Sequence, residues 1–178
     1  IWRFAAPKPI LSRPVYSPGP GQPLVLFAAE NHLLYALSVD GQEQWHFAAR
    51  APIHGSPAVA GDTVYVGSTD GNLYALQRAD GVLRWHFATR GAIHAAPLVA
   101  GDTVYVGSLD QNLYAINART GALRWRFVAD DGIESTPAVQ GERLFLGAND
   151  SRLYCLHPTS GRELWRFSTG DAVYAQPL

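Results

Sequence analysis

Methionine is absent from this chain and cysteine occurs once, as Cys155. A single thiol excludes an intrachain disulfide. Cys155 stands where sister segments carry Ala75 and Ala115, and it reads as a small buried core residue. Without a methionine the natural start is not visible, so a piece of a longer protein is expected and the lack of a leader sequence is silent about export. Charge is sparse as well. Fourteen Lys and Arg against fifteen Asp and Glu leave a net charge of −1 over 178 residues, which gives no electrostatic case for nucleic acid. No apolar run is long enough to span a bilayer as a helix, so no direct membrane insertion of this segment is expected. No stretch holds the i, i+3, i+4, i+7 pattern over the ten or more residues of a globular helix. Gly-x-Ser-x-Gly, His-Glu-x-x-His, P-loop and dinucleotide fingerprints are missing. Ser56 and Ser68 have no evident base. No catalytic residue is assigned.

What the chain does have is a period. Trp45, Trp85, Trp125 and Trp165 are each 40 residues from the next, and Trp2 lies 43 before the first. Pro57, Pro97, Pro137 and Pro177 keep the same step, with Pro14 a further 43 upstream. Gly61-Asp-Thr-Val-Tyr-Val-Gly-Ser68 returns unchanged at 101–108 and in altered form at 141–148. Each unit holds four short runs rich in Val, Tyr, Ile, Leu and Phe, separated by Gly, Asp and Asn turns, which is the signature of antiparallel hairpins. Four strands per 40-residue unit make a propeller blade. The fold class expected is therefore all-β, a β-propeller of four-stranded antiparallel blades.

The pattern inside a unit refines this. The first strand is read over Ile93 to Val99, the second from Thr103, the third from Leu113 and the fourth from Leu123. In the fourth, Leu83, Trp85 and Phe87 are expected on one face, with Arg84 and His86 on the other. Alternating charge suits the outer edge of a blade, and the rim arginines 84, 124, 126 and 166 read as a solvated edge. The second strands, such as Val64-Tyr65-Val66, are apolar on both faces and belong between blades. Small residues and proline at Gly55-Ser56-Pro57, Ala95-Ala96-Pro97 and Ser135-Thr136-Pro137 suit crowding near the propeller axis.

The segment Leu73 to Trp85 resembles the repeat of the PQQ-like (quinoprotein-type) β-propeller family. That family includes quinoprotein dehydrogenases, BamB-like assembly lipoproteins and propellers attached to bacterial kinases. Its tryptophan-docking motif, Ala-x-Asp-x-x-Thr-Gly-x-x-x-Trp, is matched by Ala115, Asn117, Thr120, Gly121 and Trp125, and by Cys155, His157, Ser160, Gly161 and Trp165. The Asp position has become Gln77, Asn117 and His157. The resemblance implies that Trp45, Trp85, Trp125 and Trp165 pack on the glycine turns of neighbouring blades, with Gly81, Gly121 and Gly161 as the receiving positions. It also implies an extracytoplasmic location, periplasmic or at the cell surface, and a ring of seven or eight blades. The dehydrogenases of the family hold a calcium-bound quinone, commonly under an adjacent Cys-Cys pair. This chain has no such pair and no insertion for a cofactor pocket, so no cofactor is expected. A non-catalytic module that binds protein or peptide, or senses a ligand, is the reading adopted. A fragment of a pyrroloquinoline-quinone-dependent dehydrogenase is the alternative.

One recurring position is a candidate site. His54, His94, Glu134 and Tyr174 follow Ile53, Ile93, Ile133 and Val173 on the strand expected nearest the axis. They read as a channel mouth for a small ligand or peptide, or as a hydrated lining. Two histidines and a glutamate are capable metal ligands, but their separation on adjacent blades argues against a shared ion, and no metal is assigned. The whole of 1–178 is read as one propeller segment, with units at about 7–48, 49–88, 89–128 and 129–168. Partial blades are expected at 1–6, as a lone fourth strand, and at 169–178, as a lone first strand. The first unit carries six of the twelve prolines between Pro7 and Pro23, and an enlarged loop is expected over 17–22.

Overall fold

A computed structural model describes residues 2–19 and 21–177. Sixteen strands form four antiparallel sheets among them, and no helix is present in the described residues. The first sheet is β1 (Val15–Ser17), β2 (Leu24–Ala28), β3 (Leu33–Ser38) and β4 (Glu43–Ala48). The second is β5 (Ala58–Ala60), β6 (Thr63–Gly67), β7 (Asn72–Gln77) and β8 (Leu83–Ala88). The third comprises β9 (Leu98–Ala100), β10 (Thr103–Gly107), β11 (Asn112–Asn117) and β12 (Leu123–Val128). The fourth comprises β13 (Ala138–Gln140), β14 (Arg143–Ala148), β15 (Arg152–Leu156) and β16 (Glu163–Ser168). Within each sheet the strands pair in sequence order, as hairpin turns require.

The middle strands carry the core. Every residue of β6 and of β10 is buried, and Val64, Val66, Val104 and Val106 are fully enclosed. Their two faces serve two neighbouring blades, so apolar side chains are needed on both. Tyr74 meets Phe47 of the preceding blade with ring centroids 4.9 Å apart, and Tyr114 meets Phe87 at 5.2 Å. Blade-to-blade contact is thus aromatic, apolar and repeated.

Three sequence expectations are corrected. The first strand is shorter than read: Ile93 to Pro97 is not strand, and only Leu98–Ala100 pairs with β10. Pro97 has no N–H to give a ladder, and the amide of Ile93 donates instead to Ser68 O of the preceding blade, at 3.1 Å. The fourth strand does not alternate throughout. Trp85 pairs with Ala75 but Leu83 pairs with Leu76, so an extra residue is bulged between them. Leu83 is thereby turned to the face opposite Trp85 and is 43% exposed. The same shift recurs in all four blades. Finally, residues 2–5 and 172–177 do not form strands. Ile1 and Leu178, which completed those expected strands, lie outside the described residues.

The turns between second and third strands need one residue in the left-handed region. Gly71 supplies it at φ 81°, but His32, Gln111 and Ser151 do so with side chains, at φ 70°, 73° and 62°. In the second, third and fourth blades an aspartate one position earlier supports the turn, and in the first Asn31 stands there. Asp110 accepts the backbone N–H of Asn112 at 3.1 Å and of Arg90 at 2.7 Å, and the Tyr114 hydroxyl at 2.7 Å. It therefore ties its own turn to the loop arriving in that blade.

Candidate functional site

The two ends of the blades are chemically different. One end holds the joints between blades. The Trp45 ring lies on Gly81, and its Nε1 donates to Arg78 O at 3.0 Å. Trp85 lies on Gly121 and donates to Ala118 O at 3.1 Å, and Trp125 lies on Gly161 and donates to Pro158 O at 3.0 Å. A Cβ added to Gly121 would stand 2.8 Å from the Trp85 ring, and the glycine sits at φ 73°. Only glycine meets both demands without strain. Tyr65 and Tyr105 hydroxyls donate to those same carbonyls of Ala118 and Pro158, each at 3.0 Å. Trp165 lies on no described turn and is 42% exposed.

The opposite end carries the candidate row. The chain leaves each fourth strand, crosses this end and enters the next blade. Ile93 and Ile133 are fully buried, each donating its amide to the blade behind. Ala95 and Ser135 are buried two residues on. The residue between is forced the other way, toward the inner strands, where β5 and β9 of adjacent blades approach one another. His54 and His94 therefore meet across a blade boundary with ring centroids 5.1 Å apart. His94 Nδ1 lies 3.2 Å from Glu134 Oε2, and Asn149 Nδ2 donates to Glu134 Oε1 at 2.9 Å. Partial burial raises the Glu134 carboxyl, but the hydrogen bonds from Asn149 and His94 outweigh it and hold the group below the ordinary range.

Three of the four expected residues are thus brought into one continuous line, on loops rather than on strands. Tyr174 extends it in sequence order and is 62% exposed, with no hydrogen bond to Glu134 among the described residues. Sequence reasoning missed two members. Leu11 holds the equivalent place in the first unit, 43 residues before His54, and is 56% exposed. Asn149, whose repeat equivalents are Thr69 and Leu109, anchors Glu134 from the neighbouring turn. Around the row the exposed charges are segregated, with Arg13, Arg50 and Arg90 on the earlier blades and Asp130, Asp131 and Asp171 on the later ones. Asp130 is paired with Arg152. No group of three His, Cys, Asp or Glu among the described residues is arranged to hold a metal ion.

A second opening lies at the joint end between the second and third blades. It is a cavity of about 500 Å³ bordered by Asp62, Tyr65, Arg84, Asp102, Ala118 and Arg119. Arg84, the bulged residue, grips Asp62 with two hydrogen bonds of 2.8 and 2.6 Å. That hydrogen bonding brings the exposed Asp62 carboxyl down to about 2. At the preceding joint, Arg78 is buried and donates to Ser17 Oγ at 2.6 Å and to the carbonyls of Ser17 and Gln22 at 2.8 and 2.9 Å. The enlarged loop of the first unit is thereby pinned to the second blade. Nothing in the repeat pattern announced this, since the sister positions are Ala118 and Pro158.

Four-stranded sheets joined by tryptophan-on-glycine contacts define the chain as a β-propeller of the PQQ-like class. Its sequence matches the profile of the family described as outer membrane protein assembly factor BamB over residues 1–99 and 88–178, and the chain belongs to that family. No match is found among the curated proteins. Among solved structures, BamB from Moraxella catarrhalis superimposes with a TM-score of 0.72 at 21% identity, covering 86% of this chain and 47% of that one. The computationally designed Ika8 protein gives a TM-score of 0.78 at 18% identity, covering 85% of this chain and 48% of that one. Both likenesses concern the fold. The chain spans about half the length of each.

Proposed function

We propose that this chain is a non-catalytic propeller module whose work is to bind protein, and that an extended peptide segment of the partner lies along the row Leu11, His54, His94, Glu134 and Tyr174. The observation that carries the reading is the unbroken contact from His54 through His94 to Glu134 across two blade boundaries. Such a row presents apolar ends, hydrogen-bonding groups at its centre and opposite charge at either side, which is the composition of a peptide-binding surface. Membership of a family described as an assembly factor supports a protein partner. Segregated charge orients the peptide. Acidic residues lie toward Arg50 and Arg90, and a basic residue faces Glu134 and Asp131.

Selection of a displayed random-peptide library against the folded protein tests this. Selected peptides are expected to carry acidic residues on one side of a basic one. Their affinity is expected to fall by at least about tenfold in His94→Ala and in Glu134→Gln, the loss of one central polar contact. Unchanged affinity in both variants would refute the row as the site.

A further inference from the structure

Each boundary between blades has a residue whose carbonyl receives the tryptophan of the blade before it, and at the first boundary that residue is Arg78. Arg78 is 3% exposed, with its side chain directed into the first blade. The hydrogen bonds to Ser17 and Gln22 set the guanidinium at the mouth of the β1–β2 hairpin. The backbone of the enlarged loop lies directly on it: a Cβ added to Gly19 would stand 2.9 Å from Nε and 3.1 Å from Cζ. A planar guanidinium with forked donors suits a place lined by carbonyls. What stays open there is a smaller space of about 340 Å³ beside Tyr16, Gly19, Val59 and Gly61.

At the second boundary both parts of that arrangement are missing. Ala118 stands in place of Arg78, and the two-residue turn Gly61-Asp62 replaces the enlarged loop. The cavity of about 500 Å³ is what remains. Ala60 closes its hairpin opposite Thr63 as Ser17 does opposite Leu24, and Gly61 precedes Thr63 by two residues as Gln22 precedes Leu24. Ala60 and Gly61 both border the cavity, so the backbone positions that hold Arg78 at one boundary face open space at the next. Val99, Ala118 and Tyr65 give walls against which a methylene stem can lie. Asp62 brings a carboxylate where the first unit has Pro23. Arg84 engages it, but the Asp62 side chain is 68% exposed and a carboxylate accepts from more donors than one arginine supplies. Arg119 also borders the cavity and opposes a cation there, which favours a delocalised, weakly hydrated charge over a compact ammonium.

We propose that the cavity between the second and third blades is an arginine slot. It takes the side chain of an arginine carried by a partner protein, in the place that Arg78 occupies one boundary earlier. The guanidinium meets the turn from Ala60 to Asp62, and its stem lies between Tyr65 and Ala118. The partner's own backbone supplies the cover that the enlarged loop gives Arg78. This slot is at the joint end, opposite the row of His54, His94 and Glu134, and it stands apart from the peptide reading of that row.

Titration of acetyl-Ala-Arg-Ala-amide into the isotope-labelled chain, followed by nuclear magnetic resonance, tests the slot. The indole N–H of Trp85, which donates to Ala118 O at the cavity wall, should shift saturably with a Kd of about 1 mM or below, while that of Trp125 stays in place. The lysine analogue should bind at least about tenfold more weakly. Ala118→Arg supplies the guanidinium from within and should abolish binding. Arg119→Ala alters an exposed residue and should tighten binding by about two- to fivefold, the worth of one exposed charge interaction, whereas a site for anions would lose affinity. His94→Ala and Glu134→Gln should leave the response unchanged, so slot and row stand or fall separately. No saturable shift at Trp85, an equal response to lysine, weaker binding in Arg119→Ala, or loss of the response in His94→Ala would each overturn the proposal. The unaltered chain and Arg119→Ala decide the matter even where Ala118→Arg fails to fold.

Discussion

Pro158 O receives two donors from the preceding blade, Trp125 Nε1 and the Tyr105 hydroxyl, each at 3.0 Å, and Pro158 is buried. That shared acceptor makes a sharp prediction. Trp125→Phe keeps an aromatic ring over Gly161 and removes one donor, while the carbonyl retains the tyrosine. Tyr105→Phe removes the other and retains the indole. Each single change should cost about 0.5–1.5 kcal/mol, the net worth of one hydrogen bond with its acceptor still satisfied, with some packing loss added for the smaller ring of Trp125→Phe. The double variant leaves a buried carbonyl with neither donor, which adds roughly 1–3 kcal/mol of uncompensated desolvation. The two changes should therefore be non-additive by at least about 1 kcal/mol, well above the few tenths expected of independent sites. Urea unfolding of the four proteins closes the cycle. The matching cycle of Trp85→Phe and Tyr65→Phe on Ala118 O should couple more weakly, because both Tyr65 and Ala118 border the 500 Å³ cavity and water can replace a lost donor there. Additive energies at Pro158, or equal coupling at both joints, would refute the argument.

Two further outcomes are expected. Gln111→Gly should stabilise the chain by a few tenths to about 1 kcal/mol in thermal unfolding, since relief of a side chain at φ 73° outweighs the added freedom of glycine in the unfolded state. Asp70 and Asp110 bear on acid stability: burial raises each carboxyl, but their hydrogen bonds with Tyr74, Asn72 and Arg50, and with Arg90, Tyr114 and Asn112, bring both below the usual value. A depressed folded value means stability that is present above the unfolded carboxylate pKa of about 3.9 and lost as pH falls through the folded one. Asp110→Asn should lower stability at pH 7 by about 1–2 kcal/mol and flatten the acid limb below about pH 4 in circular-dichroism titrations; an unchanged acid limb would refute the role.

Much of the architecture was legible because the repeat writes it four times. The 40-residue step, the apolar second strands and the glycine turns each appear in several copies, and a feature common to all units is a feature of every blade. The fourth-strand bulge escaped for the same reason turned around. It recurs in every unit, but it is a matter of which backbone pairs with which, and Leu83-Arg84-Trp85 alternates in sequence whether or not the ladder slips. The short first strand escaped because the hydrogen bonds of Ile93 go to a different blade, and sequence reading within one unit has no view of its neighbour. At the candidate row, chemistry was readable and distance was not. His54, His94 and Glu134 were visible as polar residues at one repeat position, but their meeting depends on how closely the inner segments converge. Gly55 reports that convergence, since a Cβ there would stand 2.6 Å from Ala95 O. Arg78 and Asn149 were invisible because each does in one blade what its sister residues do not.

The latch that sends Ile93 back to Ser68 before the chain joins the next sheet has a mechanical meaning. Each 40-residue unit is fastened at one end to the blade behind and, through its tryptophan, at the other to the blade ahead. Tension applied at the two termini is therefore carried across blade boundaries in series. The boundary between the third and fourth blades is held at both ends, by Trp125 on Gly161 and by the Ile133 amide on Ser108 O. Extension should therefore proceed in like steps, each freeing one 40-residue unit of roughly 130–145 Å contour, so the chain would behave under load as a series of equal links.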